Sequence, residues 1–138
     1  MKIIDRLSED RIHISFEIFP PKTEEGLDSV IAAVDKMAEL DPAFISVTYG
    51  AGGGTSKNTA KIASHIKDQL HVLSLAHLTC ASSTKEEVRE VIENLKSLGI
   101  ENILALRGDI PANVTFPDED RFRYASELVQ EIKKHGDF

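Results

Sequence analysis

Glu17, Thr48, His77 and Arg107 each close a short apolar run, and they recur at nearly even intervals along the chain. The interval is about thirty residues, the length of one strand, one helix and their turns. A strand end facing a packed core has no use for a carboxylate, an imidazole or a guanidinium, because burying such groups unpaired is costly. Four of them in register imply one shared site holding a proton donor, a hydroxyl, an imidazole and a fixed cation.

Glu17 lies among Phe16, Ile18 and Phe19. Without a cationic partner, its carboxyl is expected to titrate above the usual range and to act as a proton donor near neutral pH. The alternative is an ion pair with an arginine or lysine of a neighbouring strand. Its place before Pro20-Pro21, at the C-terminal end of the strand, favours the functional reading, since barrel sites lie at that rim.

The segment Tyr49-Gly50-Ala51-Gly52-Gly53-Gly54-Thr55-Ser56-Lys57 follows a strand and opens a helix, but its spacing meets neither the dinucleotide fingerprint nor the Walker pattern. Unhindered backbone amides near a helix N-terminus remain, suited to a flat ring or an anion, against the plainer reading of a flexible turn. Thr48 precedes the segment with a hydroxyl to donate, although threonine is also a common strand residue. His77 has no second His or Cys at ligand spacing, so no metal is expected, and a satisfied core histidine is the competing reading. Cys80 reads as a small packed residue. Arg107-Gly108-Asp109 places a cation, a glycine permitting close backbone approach and an acid in consecutive positions, with a local ion pair as the alternative.

The elements that must hold these residues follow from periodicity. Strands are expected at 12–19, 43–49, 72–78 and 102–106. Helices are expected at 24–40 (Leu27, Val30, Ile31, Val34 and Met37 inward), at 56–69, from the capping box at Thr84 to the stop at Gly99, and finally with Tyr124, Leu128, Val129 and Ile132 inward as far as Gly136. The order is β-α four times, with strands that read as buried on both faces, so the expected fold is α/β with a parallel sheet. A (β/α)8 TIM barrel and an open doubly wound sheet both begin this way; a full barrel typically needs about 250 residues, and this chain has 138. The chain holds half a barrel's worth, and 1–138 is expected to be one unit cut short of a longer protein.

Hydrophobic residues make up 41%, enough for a substantial core, and the net charge of -7 argues against nucleic acid or an anionic membrane as partner. A single cysteine and an N-terminus without a long apolar stretch place the protein in the cytoplasm, and no run approaches a membrane span.

Taken in order, Ser15-Phe16-Glu17-Ile18-Phe19-Pro20-Pro21-Lys22, Ser46-Val47-Thr48-Tyr49-Gly50-Ala51, Ala76-His77-Leu78-Thr79-Cys80, Leu106-Arg107-Gly108-Asp109 and Tyr124-Ala125-Ser126 resemble the methylenetetrahydrofolate reductase family. The resemblance implies a (β/α)8 barrel, with 1–138 as its N-terminal half, that holds FAD without a dinucleotide fingerprint and takes electrons from NADH or NADPH in ping-pong fashion. It implies that Glu17 is the acid assisting opening of the folate's methylene bridge, and that Thr48 lies near the nicotinamide. It further implies that Tyr49, Ala51, His77, Arg107, Gly108, Asp109 and Ala125 line FAD, with Asp109 also reaching the folate. A half barrel with two open edges and an apolar interior is expected to self-associate, to bind FAD poorly and to turn over little. The competing readings are a non-catalytic association module and a lyase or aldolase barrel with Glu17 as base; the latter needs a Schiff-base lysine or a metal at a strand end, and neither is visible.

Overall fold

The computed structural model describes residues 1–50 and 56–138. A short helix, α1 (Ile3–Leu7), precedes four strands, β1 (Ser15–Ile18), β2 (Phe44–Val47), β3 (Ser74–Thr79) and β4 (Ile103–Leu106). The strands lie side by side in chain order and all run parallel. Parallel neighbours cannot be joined by a tight hairpin, so each pair is linked through a helix. These are α2 (Leu27–Ala38), α3 (Ser56–Asp68) and α4 (Lys85–Ser97), and α5 (Ala125–His135) follows β4. The result is four βα units, half the strand number of a (β/α)8 barrel.

Local chemistry explains where the crossover helices start and stop. The Thr84 hydroxyl accepts from Glu87 N–H at 3.2 Å while the Glu87 carboxylate accepts from Thr84 N–H at 2.7 Å, so two orphan donors at the start of α4 are satisfied together. At the other end Gly99 sits at φ 65°, Gly99 N–H donates to Lys96 O at 2.9 Å and Ile100 N–H to Leu95 O at 3.0 Å. That pairing stops the helix and returns Ile100 to the core, and it favours glycine at the left-handed position.

One face of the sheet carries the helices. Ile18, Ile45, Val47 and Ala76 pack there against Val34 of α2, Ile62 and Ile66 of α3 and Leu95 of α4. A second cluster joins Leu78 and Cys80 to Val88, Ile92, Phe122, Leu128 and Ile132. The opposite face, the interior side of a barrel, is not covered in the same way. Leu104 and Leu106 of β4 are 39% and 37% exposed, where burial on both faces was expected.

The expected strands are trimmed by the structure. The first begins at Ser15 rather than Ile12, which is 92% exposed. Helix α1, not foreseen, is held by distant partners: Ile3 N–H donates to Asn102 Oδ1 at 2.8 Å, and the N-terminal ammonium lies 2.6 Å from Glu101. Leu128 and Ile132 of α5 are buried as expected, but Val129 and Tyr124, the extended residue just before the helix, are exposed. The third buried position of α5 is Glu131, only 5% exposed. Arg89 of α4 meets its carboxylate at 2.6 Å and Lys134 at 3.0 Å, and His135 bridges it to Glu93. Among the described residues no helix is long and apolar enough to cross a membrane.

The hydrogen bond from Arg89, then that from Lys134, hold the Glu131 carboxyl down to about 2. A pKa lower in the folded than in the unfolded chain contributes stability that is present above the unfolded value and is lost as pH falls through the folded one. Glu131→Gln is therefore expected to lose about 1–3 kcal/mol at pH 7. Urea denaturation at a series of pH values should show the difference from the parent shrinking as pH drops from about 4.5 toward 2.

Candidate active site at the C-terminal rim of the sheet

Strand register brings the first two candidate residues together. Glu17 pairs with Ser46 and Ser46 with Leu75, so these three share a row. His77 is two residues beyond Leu75 and therefore on the same face, one step closer to the rim. A serine on the intervening strand leaves the space that a large side chain would fill. Ser46 is buried, and its hydroxyl turns back to Phe16 O at 3.4 Å. Across that gap His77 Nε2 lies 3.6 Å from Glu17 Oε2.

The two groups differ in environment. Glu17 is 50% exposed along its side chain, because Ile18 beside it turns to the helix-covered core while the carboxylate turns away. The expected enclosure in apolar surroundings is thus not present, and the partner is an imidazole two strands away rather than an arginine or lysine. His77 is only 7% exposed. Burial pushes its imidazole below the ordinary histidine range, and the Glu17 carboxylate opposes that in part.

Thr48 continues the Ser46 row toward the rim. Its N–H donates to Ile18 O at 2.9 Å and its carbonyl accepts from Thr59 Oγ1 at 2.9 Å, so the end of β2 is fixed to both β1 and α3. Tyr49 has the opposite parity and packs against the Leu78–Phe122 cluster. Burial raises its phenol pKa, against hydrogen bonds with Ser83 and Ser56. Its ring belongs to the helix-side core as much as to the rim. Ala51 lies outside the described residues, as does most of the glycine-rich turn.

Beyond β4 the chain is tied down through its backbone. The Arg107 carbonyl accepts from Ala81 N–H at 2.8 Å and Cys80 N–H at 3.2 Å, which joins the segment after β3 to the segment after β4. Gly108 follows at φ 75°, and a Cβ there would sit 2.9 Å from Thr79 Cβ. Only glycine satisfies both the angle and the approach. The Arg107 guanidinium bonds locally to Gly108 O at 3.2 Å, and both it and Asp109 remain exposed. Ala125 opens α5, which packs beside β4. Cys80 is buried, and burial raises its thiol pKa, so it rests as a thiol.

The rim therefore combines a carboxylic acid, a buried imidazole, an exposed guanidinium, an exposed acid and the apolar Leu104 and Leu106. Such a set suits a flat heteroaromatic ring with polar edges: apolar side chains to lie against, and charged groups for its hydrogen-bonding margin. Among the described residues no three His, Cys, Asp or Glu side chains gather as metal ligands. A groove of about 640 Å³ runs between α3 and α4 past Ala60, Val91 and Leu98, and contains none of the rim residues. Sequence reasoning overlooked Ser46 and Ser83; the signal for Ser46 was a small polar residue inside Phe44-Ile45-Ser46-Val47.

Residues 2–138 match the methylenetetrahydrofolate reductase family. The chain belongs to that family. It is 40% identical over 140 residues to methylenetetrahydrofolate reductase (NADH) 1 of Zea mays, covering 99% of this chain and 24% of the maize protein. It is 38% identical over 130 residues to the 5,10-methylenetetrahydrofolate reductases of Pectobacterium carotovorum and of Escherichia coli strain K12, covering 94% of this chain and 42% and 43% of theirs. The chain thus spans less than half the length of these relatives. The family is a TIM barrel, and the four parallel βα units described above are part of one.

The Gly108 turn gives a direct test of what holds this rim. Gly108→Ala should lower stability by at least about 1–2 kcal/mol, because an L-residue is forced into the left-handed region and against Thr79. Equilibrium denaturation reads it, and an unchanged midpoint would mean that the turn relaxes freely.

Proposed function

We propose that this chain supplies the acid-bearing part of a methylenetetrahydrofolate reductase site, reducing 5,10-methylenetetrahydrofolate to 5-methyltetrahydrofolate with electrons from NADH or NADPH by way of FAD. The observation that carries the reading is the Glu17–His77 pair on the open face of a parallel sheet, at the strand ends where barrel enzymes do chemistry. Residues 1–138 act as one unit, the N-terminal part of the barrel. When bound, FAD supplies hydride transfer from the nicotinamide to the one-carbon unit of the folate.

The residues of the chain divide the remaining work. Glu17 stands half in solvent, where it can take up a proton and give it to the folate nitrogen that leaves as the methylene bridge opens. His77 and the Arg107 guanidinium are the groups to hold the polar margin of the flavin, with Leu104 and Leu106 against its apolar surface. Asp109, beside the left-handed Gly108, is the group to accept hydrogen bonds from the pterin. Thr48, Tyr49 and Ala125 complete the proposed lining, Thr48 toward the nicotinamide. Partners other than these small molecules are not part of the reading; neither nucleic acid nor a membrane is.

The uncovered face of the sheet favours a second property. β1 and β4 are the outer strands of the described sheet, and Leu104, Leu106 and Phe19 are exposed. An open edge and an exposed apolar face together promote association. The 138-residue chain alone is expected to sediment as an oligomer, to purify without yellow colour and to lack NADH oxidase activity with a quinone acceptor. Stoichiometric flavin with robust turnover would refute that.

The acid role is tested in a chimera in which residues 1–138 replace the matching segment of the Escherichia coli relative. Glu17→Gln should leave flavin reduction by NADH nearly unchanged while folate reduction falls by about 10²–10⁴-fold. Equal loss of both half-reactions would make Glu17 structural.

A further inference from the structure

Resting on the roles proposed for Arg107 and Asp109, we infer that Thr79, the last residue of β3, is a positioning residue of the same site. Its β-branched side chain is the wall that sets the turn at Gly108, and so fixes where the guanidinium before that turn and the carboxylate after it emerge. Register puts the wall in place. Thr79 pairs with Leu106 and lies two residues beyond His77, so it stands on the open face in the row nearest the rim.

Position 108 needs a glycine, but a glycine does not choose its own conformation. It takes positive and negative φ about equally well, so the observed 75° is selected by its surroundings. One constraint is the Arg107 carbonyl, which accepts from Cys80 N–H at 3.2 Å and Ala81 N–H at 2.8 Å and anchors the peptide just before the glycine. Rotation about the Gly108 Cα is left open by those bonds. The second constraint is Thr79. Measured from where a Cβ at 108 would stand, Thr79 Cβ lies at 2.9 Å, Cγ2 at 3.1 Å and Oγ1 at 3.4 Å. Chain neighbours aside, these are the nearest atoms among the described residues, so one side chain backs the turn.

Threonine suits the task through its shape. Two branches at Cβ restrict χ1, and the hydroxyl lies 3.3 Å from Ser82 Oγ in the following turn, which holds the rotamer further. Alanine would remove the backing and serine would lose the methyl, whereas valine keeps both branches and gives up only the bond to Ser82. The turn carries functional groups with it. Arg107 Nε donates to Gly108 O at 3.2 Å, so the guanidinium follows the glycine, and the exposed Asp109 is the next residue.

The experiment has two arms. The first uses the labelled 138-residue chain with neither flavin nor folate, so its failure is separate from failure of the enzymatic reading. A nuclear Overhauser contact from the Thr79 methyl to Gly108 Hα is expected. The N–H residual dipolar couplings of Gly108 and Asp109, which report the orientation of the turn, should change in Thr79→Ala and Thr79→Ser and keep parent values in Thr79→Val. The second arm uses the chimera with the Escherichia coli relative. There Thr79→Ala and Thr79→Ser should raise the folate KM about tenfold while kcat stays within about threefold, and Thr79→Val should restore the parent KM. A missing methyl contact, couplings that change as much in Thr79→Val as in Thr79→Ala, or a parent KM in Thr79→Ala would overturn the inference. So would equal loss of kcat in all three variants, which would make Thr79 a residue of the fold alone.

Discussion

Parallel pairing of β1 to β4 under a single layer of helices is the constraint from which the rest of this structure follows. Side chains alternate along each strand, so one set must enter the helix-covered core and the other must face away. Ile18, Ile45, Val47 and Ala76 form the first set, while Glu17, Ser46 and His77 belong to the second. A slip of one residue in the pairing of β1 would drive Glu17 into the cluster around Val34 and Ile62 and bring Ile18 to the rim. Register and site are therefore one property: the apolar burial that holds the sheet is also what sets the carboxylate beside the imidazole.

The same logic explains how the rim is made stiff without a core of its own. Its positions are held by backbone bonds, from Ala81 and Cys80 to the Arg107 carbonyl and from Thr48 to Ile18, and by one glycine that a methyl group would displace. Side chains are left with little to support and remain available to a ligand. Arg107 and Asp109 are exposed for this reason, not because the segment is loose.

The order of elements, the capping box at Thr84 and the glycine stop at Gly99 were legible in the sequence, because each depends on neighbours a few residues apart. The family was legible too, from short strings in fixed order. What the sequence hid depends on contacts between distant segments. Helix α1 is five residues long and owes its place to Asn102 and Glu101. Glu131 is buried because Arg89, Lys134 and His135 reach it from other positions; Tyr124 is exposed because it is extended and precedes α5, and Val129 lies off the buried stripe of Leu128 and Ile132. Glu17 looked enclosed because its chain neighbours are apolar, yet in a strand immediate neighbours point the other way. Tyr49 failed the same test of parity, standing beside Thr48 in sequence and packing with Phe122 in space.

The central claim is that one flat ring lies on the open rim formed by these strands. Titrating flavin into the isotopically labelled chain and following ring-current shifts by NMR tests it most directly, since even weak binding is read residue by residue. Shifts confined to His77, Leu104, Leu106 and Gly108 are the expected result. Shifts centred on Ala60, Val91 and Leu98 in the groove between α3 and α4, or none at all up to the solubility limit of the flavin, would contradict it.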